Sequence, residues 1–352
     1  MDKPVSLIID TDVGNDIDDA LALALCHTLQ TMGQCRLIGV TICKDDLYAA
    51  MYVSVLNSFY GRAEIPIGIV KNGNKGKPGE YLRHVVHKKD LYGRCIYPCK
   101  VTVNNPPPEA VILLRQLLAE QPDQSVVIVM IGPATNMARL LATKPDEYSS
   151  LSGVELFARK VKLVSAMAAD FSEEVQKNPT MENREFNIHV DIPSAEFFFT
   201  HCPVEVVFSG YEVGCKILYP AESILQDYQW TDHHPVADAY QVYAKMPYNR
   251  PCWDLTSVLY AVHPDKDYFG LSKRGWACVE KTGIVRFRED PEGLHRYLTV
   301  TDGQAETLVA LFSQLCSCQH PDRIKHKKIA DTILSIKSDK PSQVKTSSTD
   351  NF

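Results

Sequence analysis

This chain of 352 residues has no apolar run long enough to cross a membrane; its longest, such as Val126 to Ile131 (VVIVMI), fall far short of the roughly 20 residues a span needs. No secretory leader is expected, because Met-Asp-Lys-Pro-Val runs straight into a strand pattern. A cytoplasmic location is therefore expected. No block of Lys and Arg is present, and 37 basic against 43 acidic residues give a formal charge of −6. That balance argues against a nucleic-acid or membrane partner and for a small-molecule one. The eleven cysteines are odd in number and scattered, as reduced thiols are, and do not make a disulfide framework. Cys316 to His320 (CSCQH) and His84 with His87 lack a matching second half at zinc-site spacing, so no structural zinc is expected. No internal repeat and no Pro/Gly/Ser linker divides the chain. One domain over residues 1–338 is expected, with a polar tail, 339–352, predicted to be disordered.

What is present is an alternation of buried strands and helices. SLIIDT precedes DDALALALCHTL, RLIGVTIC precedes LYAAMYVSVLNSFYG, and SVVIVMIG precedes ATNMARLLA. Apolar strands buried on both faces and followed by helices predict a mostly parallel, doubly wound α/β sheet, Rossmann-like in its winding. KVKLVSAMA and VEVVFSG read as further strands; DIPSAEFFFTH, PVADAYQVYAKM and WDLTSVLYAVH read as helices. Near the C-terminus IVRFRED and RYLTV are expected to pair antiparallel with WACVE. In such a sheet ligands bind at the carboxyl ends of the strands.

One of those ends carries five aspartates within ten positions: Asp10, Asp12, Asp16, Asp18 and Asp19. Two carboxylates about 4 Å apart repel by roughly 4 kcal/mol at an effective dielectric near 20, so a crowded cleft must protonate them or recruit a cation. Oxygen donors without His or Cys favour Ca²⁺ or Mg²⁺ over zinc. An acidic turn solvated at the surface and capping the next helix explains the same residues without a metal.

DTDVGNDIDDA (Asp10 to Ala20) resembles the N-terminal aspartate motif of the inosine/uridine-preferring nucleoside hydrolases, with two extra residues between the Gly and the final Asp pair. MIGPATNMARLL (Met130 to Leu141), ENREFNIHVDIPSA (Glu182 to Ala195) and RPCWDLTSVL (Arg250 to Leu259) are similar to three further blocks of that family, in family order. The resemblance implies a single α/β domain, bound Ca²⁺, a nucleoside substrate cleaved at its N-glycosidic bond, and a dimer or tetramer. It implies Asp12 as calcium ligand and as the base that takes a proton from the attacking water. Asp19, the backbone carbonyl of Ile131 and Asp254 would be further ligands. Asp18 would grip the ribose hydroxyls with Asp254 and Asn187, Glu185 would reach the 5′-hydroxyl, and Asp10 would orient the loop from behind. Cleavage passes through an oxocarbenium-like sugar, which surrounding carboxylates stabilise. Thr135 and Asn136 are expected to start a helix.

The sequence departs from the family in three places. Trp253 stands where well-known members carry a His that assists the departing base, and Trp can stack on a base but cannot protonate it. His84, His87, His233 and His234 are replacements by residue type only. KDD (Lys44 to Asp46) replaces a Gly-Asn, which brings Lys44 toward the acids. Asn178 is the nearest match, one position out of register, to a substrate-binding Asn, and Asn183 competes for the role. Two rival readings stand beside the hydrolase. One is a haloacid dehalogenase-type phosphatase with Asp10 as nucleophile and Mg²⁺ bound. The other is a calcium-dependent nucleoside- or sugar-binding protein without catalysis.

Overall fold

A computed structural model describes residues 3–319. Twelve strands occur among them: β1 (Val5–Thr11), β2 (Cys35–Ile42), β3 (Ile67–Ile69), β4 (Val126–Ile131), β5 (Val161–Met167), β6 (Val206–Ser209), β7 (Leu218–Tyr219), β8 (Arg250–Pro251), β9 (Gly270–Leu271), β10 (Gly275–Val279), β11 (Val285–Glu289) and β12 (His295–Thr299). The main sheet runs β11-β10-β12-β6-β5-β4-β1-β2-β3, with β9 added against β12. From β12 to β3 every neighbouring pair is parallel. β7 and β8 form a separate antiparallel ribbon.

The centre of the sheet explains where a ligand can sit. Successive crossovers place β2 and β3 on one side of β1; the chain then returns to build β4, β5 and β6 on the other. This reversal opens a crevice at the carboxyl ends of β1 and β4, where Thr11 pairs with Ile131. β1 is almost wholly buried because helices cover both faces. Ile8, Ile128 and Met130 pack against Leu113, Leu117, Met137, Phe157 and Phe198 on one side. On the other lies helix Asp18–Thr31, buried from Asp18 to Leu29 beneath helices Trp253–Val262 and Asp302–Cys316. A helix apolar all round needs such cover.

The predicted elements are present, with two differences. The segment between Phe59 and Val126, for which no element is expected above, holds β3 and helices Glu80–Val86 and Ala110–Glu120. β10 and β11 pair antiparallel as expected, but β12 meets β10 only at Gly275 and His295 and otherwise runs parallel to β6, so the C-terminal strands extend the main sheet. Thr135 and Asn136 open helix Thr135–Leu141 as expected, and their side chains donate to Asp191 and Asp10. The described residues through Cys318 form one compact unit, and the domain end at 338 and the tail beyond lie outside the described residues. No disulfide joins the described cysteines, and no described helix is long and apolar enough to cross a membrane.

Candidate active site

The strand β1 delivers Asp10 and Thr11 to the edge of the crevice, and the chain then turns sharply through Gly14. Gly14 has φ +113°, and a Cβ there would lie 2.5 Å from Leu82 Cδ1 and 2.8 Å from Lys44 Nζ, so only glycine fits. Gly132, following β4, is equally confined: a Cβ would come within 2.5 Å of Cys43 Sγ and 2.9 Å of the Asp12 nitrogen. The two loops therefore meet backbone to backbone. Asp10 lies behind them, buried, accepting from Thr41 Oγ1 at 2.6 Å and Asn136 Nδ2 at 2.8 Å. Burial pushes its pKa up to about 7 against these two bonds. Asp10 thus ties β1 to β2 and to the GPATN loop.

A cavity of about 440 Å³ opens over these loops, a size suited to a nucleoside-sized ligand. Asp12, Asp18, Ile131, Glu185, Asn187, Trp253 and Asp254 all line it, although they come from four separate stretches of sequence. Asp10 and Asp19 sit beneath the lining. Asn178 lies outside it, exposed at the end of helix Glu173–Lys177, while Asn183 faces the cavity; the Asn178 assignment is corrected accordingly. Helix Glu173–Lys177 ends at Asn178 and points it to solvent, which is why nearest sequence spacing misled. None of the four candidate histidines lines the cavity. His234 is buried among Phe59, Tyr228 and Trp230, and its Nδ1 accepts from Val236 N at 3.2 Å.

Arg250, quoted within the fourth block but given no role there, proves central. Its Nε and Nη2 each lie 2.8 Å from Asp18 Oδ1, and Nη2 lies 2.6 Å from Asp16 Oδ2. Nη1 donates to the hydroxyls of Tyr243 and Tyr248 at 3.1 and 3.3 Å. Burial alone would lower its pKa; the Asp18 and Asp16 carboxylates overcome this and raise it. Asp18 also accepts from the backbone N–H groups of Trp253 and Asp254, at 3.1 and 3.3 Å. The carboxylate expected to grip ribose hydroxyls is therefore engaged within the protein, binding the aspartate loop to helix Trp253–Val262. Asp16, supplied by the longer loop, gains the same cation.

Trp253 has the guanidinium of Arg250 over its ring, 4.7 Å from the centroid, and stacks on Tyr211 at 5.3 Å. Across the cavity Glu185 caps helix Phe186–His189: its oxygens accept from the backbone N–H groups of Asn187, Ile188 and Ala169. Asn187 Nδ2 donates to the Met167 carbonyl at 3.1 Å, joining this wall to the end of β5. Burial pushes Glu185 up to about 7. Lys44 is buried, donates to the Lys77 carbonyl at 2.7 Å and makes no ion pair within 4.0 Å among the described residues, although Asp46, Asp12 and Asp19 partly offset the lowering of its pKa by burial.

The carboxylates are more numerous than the cations that could balance them. Burial and then mutual repulsion raise Asp19 and Asp254 well above the usual carboxylate range, and Asp12 rises to about 6. Asp19 bonds Thr11 Oγ1 through Oδ1, but its buried Oδ2 has no hydrogen-bond partner. Oxygens of Asp16, Asp18 and Asp254 lie within 4.8 Å of one another, the one such trio among the described residues. Asp12 and Asp19, expected as ligands, are not in it, because Asn15 Nδ2 holds Asp12 at 2.6 Å and Thr11 holds Asp19. All-oxygen donors with an orphaned buried carboxylate oxygen fit a hard dication.

Comparison with solved structures shows the same fold. A plant nucleoside hydrolase, PpNRh1, superposes with a TM-score of 0.63 at 18% identity, covering 90% of this chain and all of its own. A purine-preferring ribonucleoside hydrolase from Gardnerella vaginalis gives 0.61 at 17%, over 89% of this chain and 99% of its own. The type III effector XopQ, solved with adenosine diphosphate ribose, gives 0.63 at 14%, over 90% and 94%. Among curated proteins, none matches the sequence. The family model described as inosine-uridine preferring nucleoside hydrolase matches residues 7–330, nearly the whole of the sequence that builds the sheet, the crevice and its lining, and the chain belongs to that family.

Proposed function

We propose that the protein hydrolyses the N-glycosidic bond of ribonucleosides, releasing free base and ribose. The observation that carries this reading is the convergence of Asp12, Ile131, Glu185, Asn187 and Asp254, from separate motif blocks, on one cavity at the sheet's switch point. Asp12, Asp19, Asp254 and the Ile131 carbonyl would hold Ca²⁺, with Asp16 and Asp18 close by. When bound, the ion offsets the carboxylates' repulsion and makes water a stronger acid at neutral pH. Asp12, held at Oδ2 by Asn15, takes the proton of the attacking water. Asn187 and Asp254 fix the ribose hydroxyls, and Glu185 faces the 5′ end. Positioning of this kind can supply about 7 kcal/mol or more of barrier lowering. The surrounding negative charge stabilises the sugar as it becomes cationic.

Trp253, stacked on Tyr211, offers an aromatic wall to the base and no proton. The experiment is Asp12→Asn assayed for ribose release and for nucleoside binding by calorimetry. Release should vanish while binding persists. Unchanged release would overturn the role of Asp12; binding without release in the wild-type protein would favour the non-catalytic reading, which the resemblance to an effector solved with a nucleotide sugar keeps in view.

A further inference from the structure

Lys44, two residues beyond the end of β2, is only 1% exposed. A lysine is almost never buried so deeply without a carboxylate partner, because its ammonium gives up its hydration. Among the described residues Lys44 has no such partner within 4.0 Å, and its Nζ donates instead to a neutral acceptor, the Lys77 carbonyl, at 2.7 Å. The reaction proposed above makes no use of this charge. Its surroundings are the aspartate loop.

The placement is tight. A Cβ on Gly14 would lie 2.8 Å from Lys44 Nζ, so the ammonium rests against the loop backbone between Asp12 and Asp16. The preceding residue, Cys43, donates its N–H to the Thr11 carbonyl at 2.9 Å, which fastens the end of β2 beside the end of β1. Lys77 closes the arrangement. Its carbonyl holds Lys44 Nζ, its N–H donates to Asn15 Oδ1 at 2.9 Å, and Asn15 Nδ2 donates to Asp12 Oδ2 at 2.6 Å. Lys44 is thereby locked against the loop while standing clear of its carboxylates. Asp46, which caps helix Leu47–Phe59, and Asp12, Asp19 and Asp16 of the loop all act on it through space. Arg250 is spent by direct contact on Asp16 and Asp18. Lys44 therefore brings positive charge to Asp12 and Asp19 without occupying a ligand oxygen, and Asp19 Oδ2 stays without a hydrogen-bond partner.

We propose that Lys44 is a fixed internal cation that sets the affinity of the acidic loop for its dication: its field weakens metal binding without blocking a ligand, so the protein fills with calcium only at higher concentration than the carboxylates alone would require. This rests on the reading above that a hard dication binds at the acidic loop. A fixed charge repels a bound ion in proportion to that ion's own charge. The effect of Lys44 must therefore grow from a divalent to a trivalent ion, which a role in packing would not produce.

The test is titration calorimetry of Ca²⁺ and of La³⁺ into the full-length wild type, Lys44→Met, which keeps an apolar stem of similar length, and Lys44→Gln, which keeps a polar tip. Both variants should bind Ca²⁺ at least about tenfold more tightly, and La³⁺ by about the three-halves power of the same factor, about 30-fold where calcium gains tenfold. Equal gains for the two ions, no gain, or weaker binding overturns the proposal. Wild-type protein that binds neither ion removes the underlying metal reading as well. Circular dichroism checks the fold of each variant. Should the variants fold only with metal, the concentrations of Ca²⁺ and La³⁺ that fold them give the same comparison against the wild type. Variants that fold with neither ion overturn a role confined to metal affinity.

Discussion

Replacing Arg250 by methionine should destabilise the fold by about 3 kcal/mol, near the lower end of the 3–5 kcal/mol typical of breaking a buried ion pair. The magnitude follows from the partners. Asp18 has a side chain only 1% exposed and accepts two of the guanidinium's N–H groups, so methionine leaves a buried carboxylate without its cation. Asp18 keeps the two backbone N–H bonds from Trp253 and Asp254, which pulls the cost toward the low end. The Asp16 arm adds little: with a side chain 35% exposed, that pairing is screened and worth at most about 1 kcal/mol. Denaturant unfolding of the wild type, Arg250→Met, Asp18→Asn and the double variant, all without added calcium, measures this. The double variant should recover most of the loss, because removing both charges leaves no buried ion unpaired. A single-variant cost below about 1 kcal/mol, or a double variant no better than Arg250→Met, would refute the reasoning.

Three further outcomes follow. Asn136→Ala should cost about 1–3 kcal/mol by withdrawing a donor from buried Asp10, and an unchanged denaturation midpoint would show that Asp10 does not depend on it. Burial lowers His27 to about 3, with Arg62 adding to the effect, and lowers His234 to about 3 and His295 to about 4, so these rings stay neutral in the fold and charge in the unfolded chain. Their stabilisation is complete above the unfolded pKa near 6.5 and is lost as pH falls toward the folded values, by about 1.4 kcal/mol per residue at pH 5.5. Buried Asp10, Asp18 and Glu185, raised to about 7, have the opposite slope in that window. The histidine contribution is therefore read by difference: a His234→Gln variant should lose less stability than the wild type between pH 7 and 5.5, and parallel curves would contradict the assignment. Finally, calcium at about 100 times its Kd should add about 2.7 kcal/mol to the unfolding free energy, and EDTA should remove it; no response would argue against a metal at the acidic loops.

Most of the sheet was legible because its strands are short apolar runs bounded by turns, each followed by a helix of recognisable period. The acidic loop could be read as a ligand site because five like charges beside a buried strand need a physical reason. Arg250 and Asp16 were less visible: their pairing joins positions more than 230 residues apart, and neither lies at an expected ligand position. The missed helix Ala110–Glu120 did carry a signal, leucines at 113, 114, 117 and 118, interrupted by Arg115, which is itself buried on Asp146. Asn178 failed because a short helix stands between spacing in sequence and direction in space.

The most direct test of the central claim is ribose release from a panel of purine and pyrimidine nucleosides, measured as reducing sugar with calcium present and again after chelation. Release that requires calcium, is lost to the chelator and returns on adding the ion back is the predicted result. Calcium-loaded, folded protein that frees no ribose from any member of the panel would contradict it.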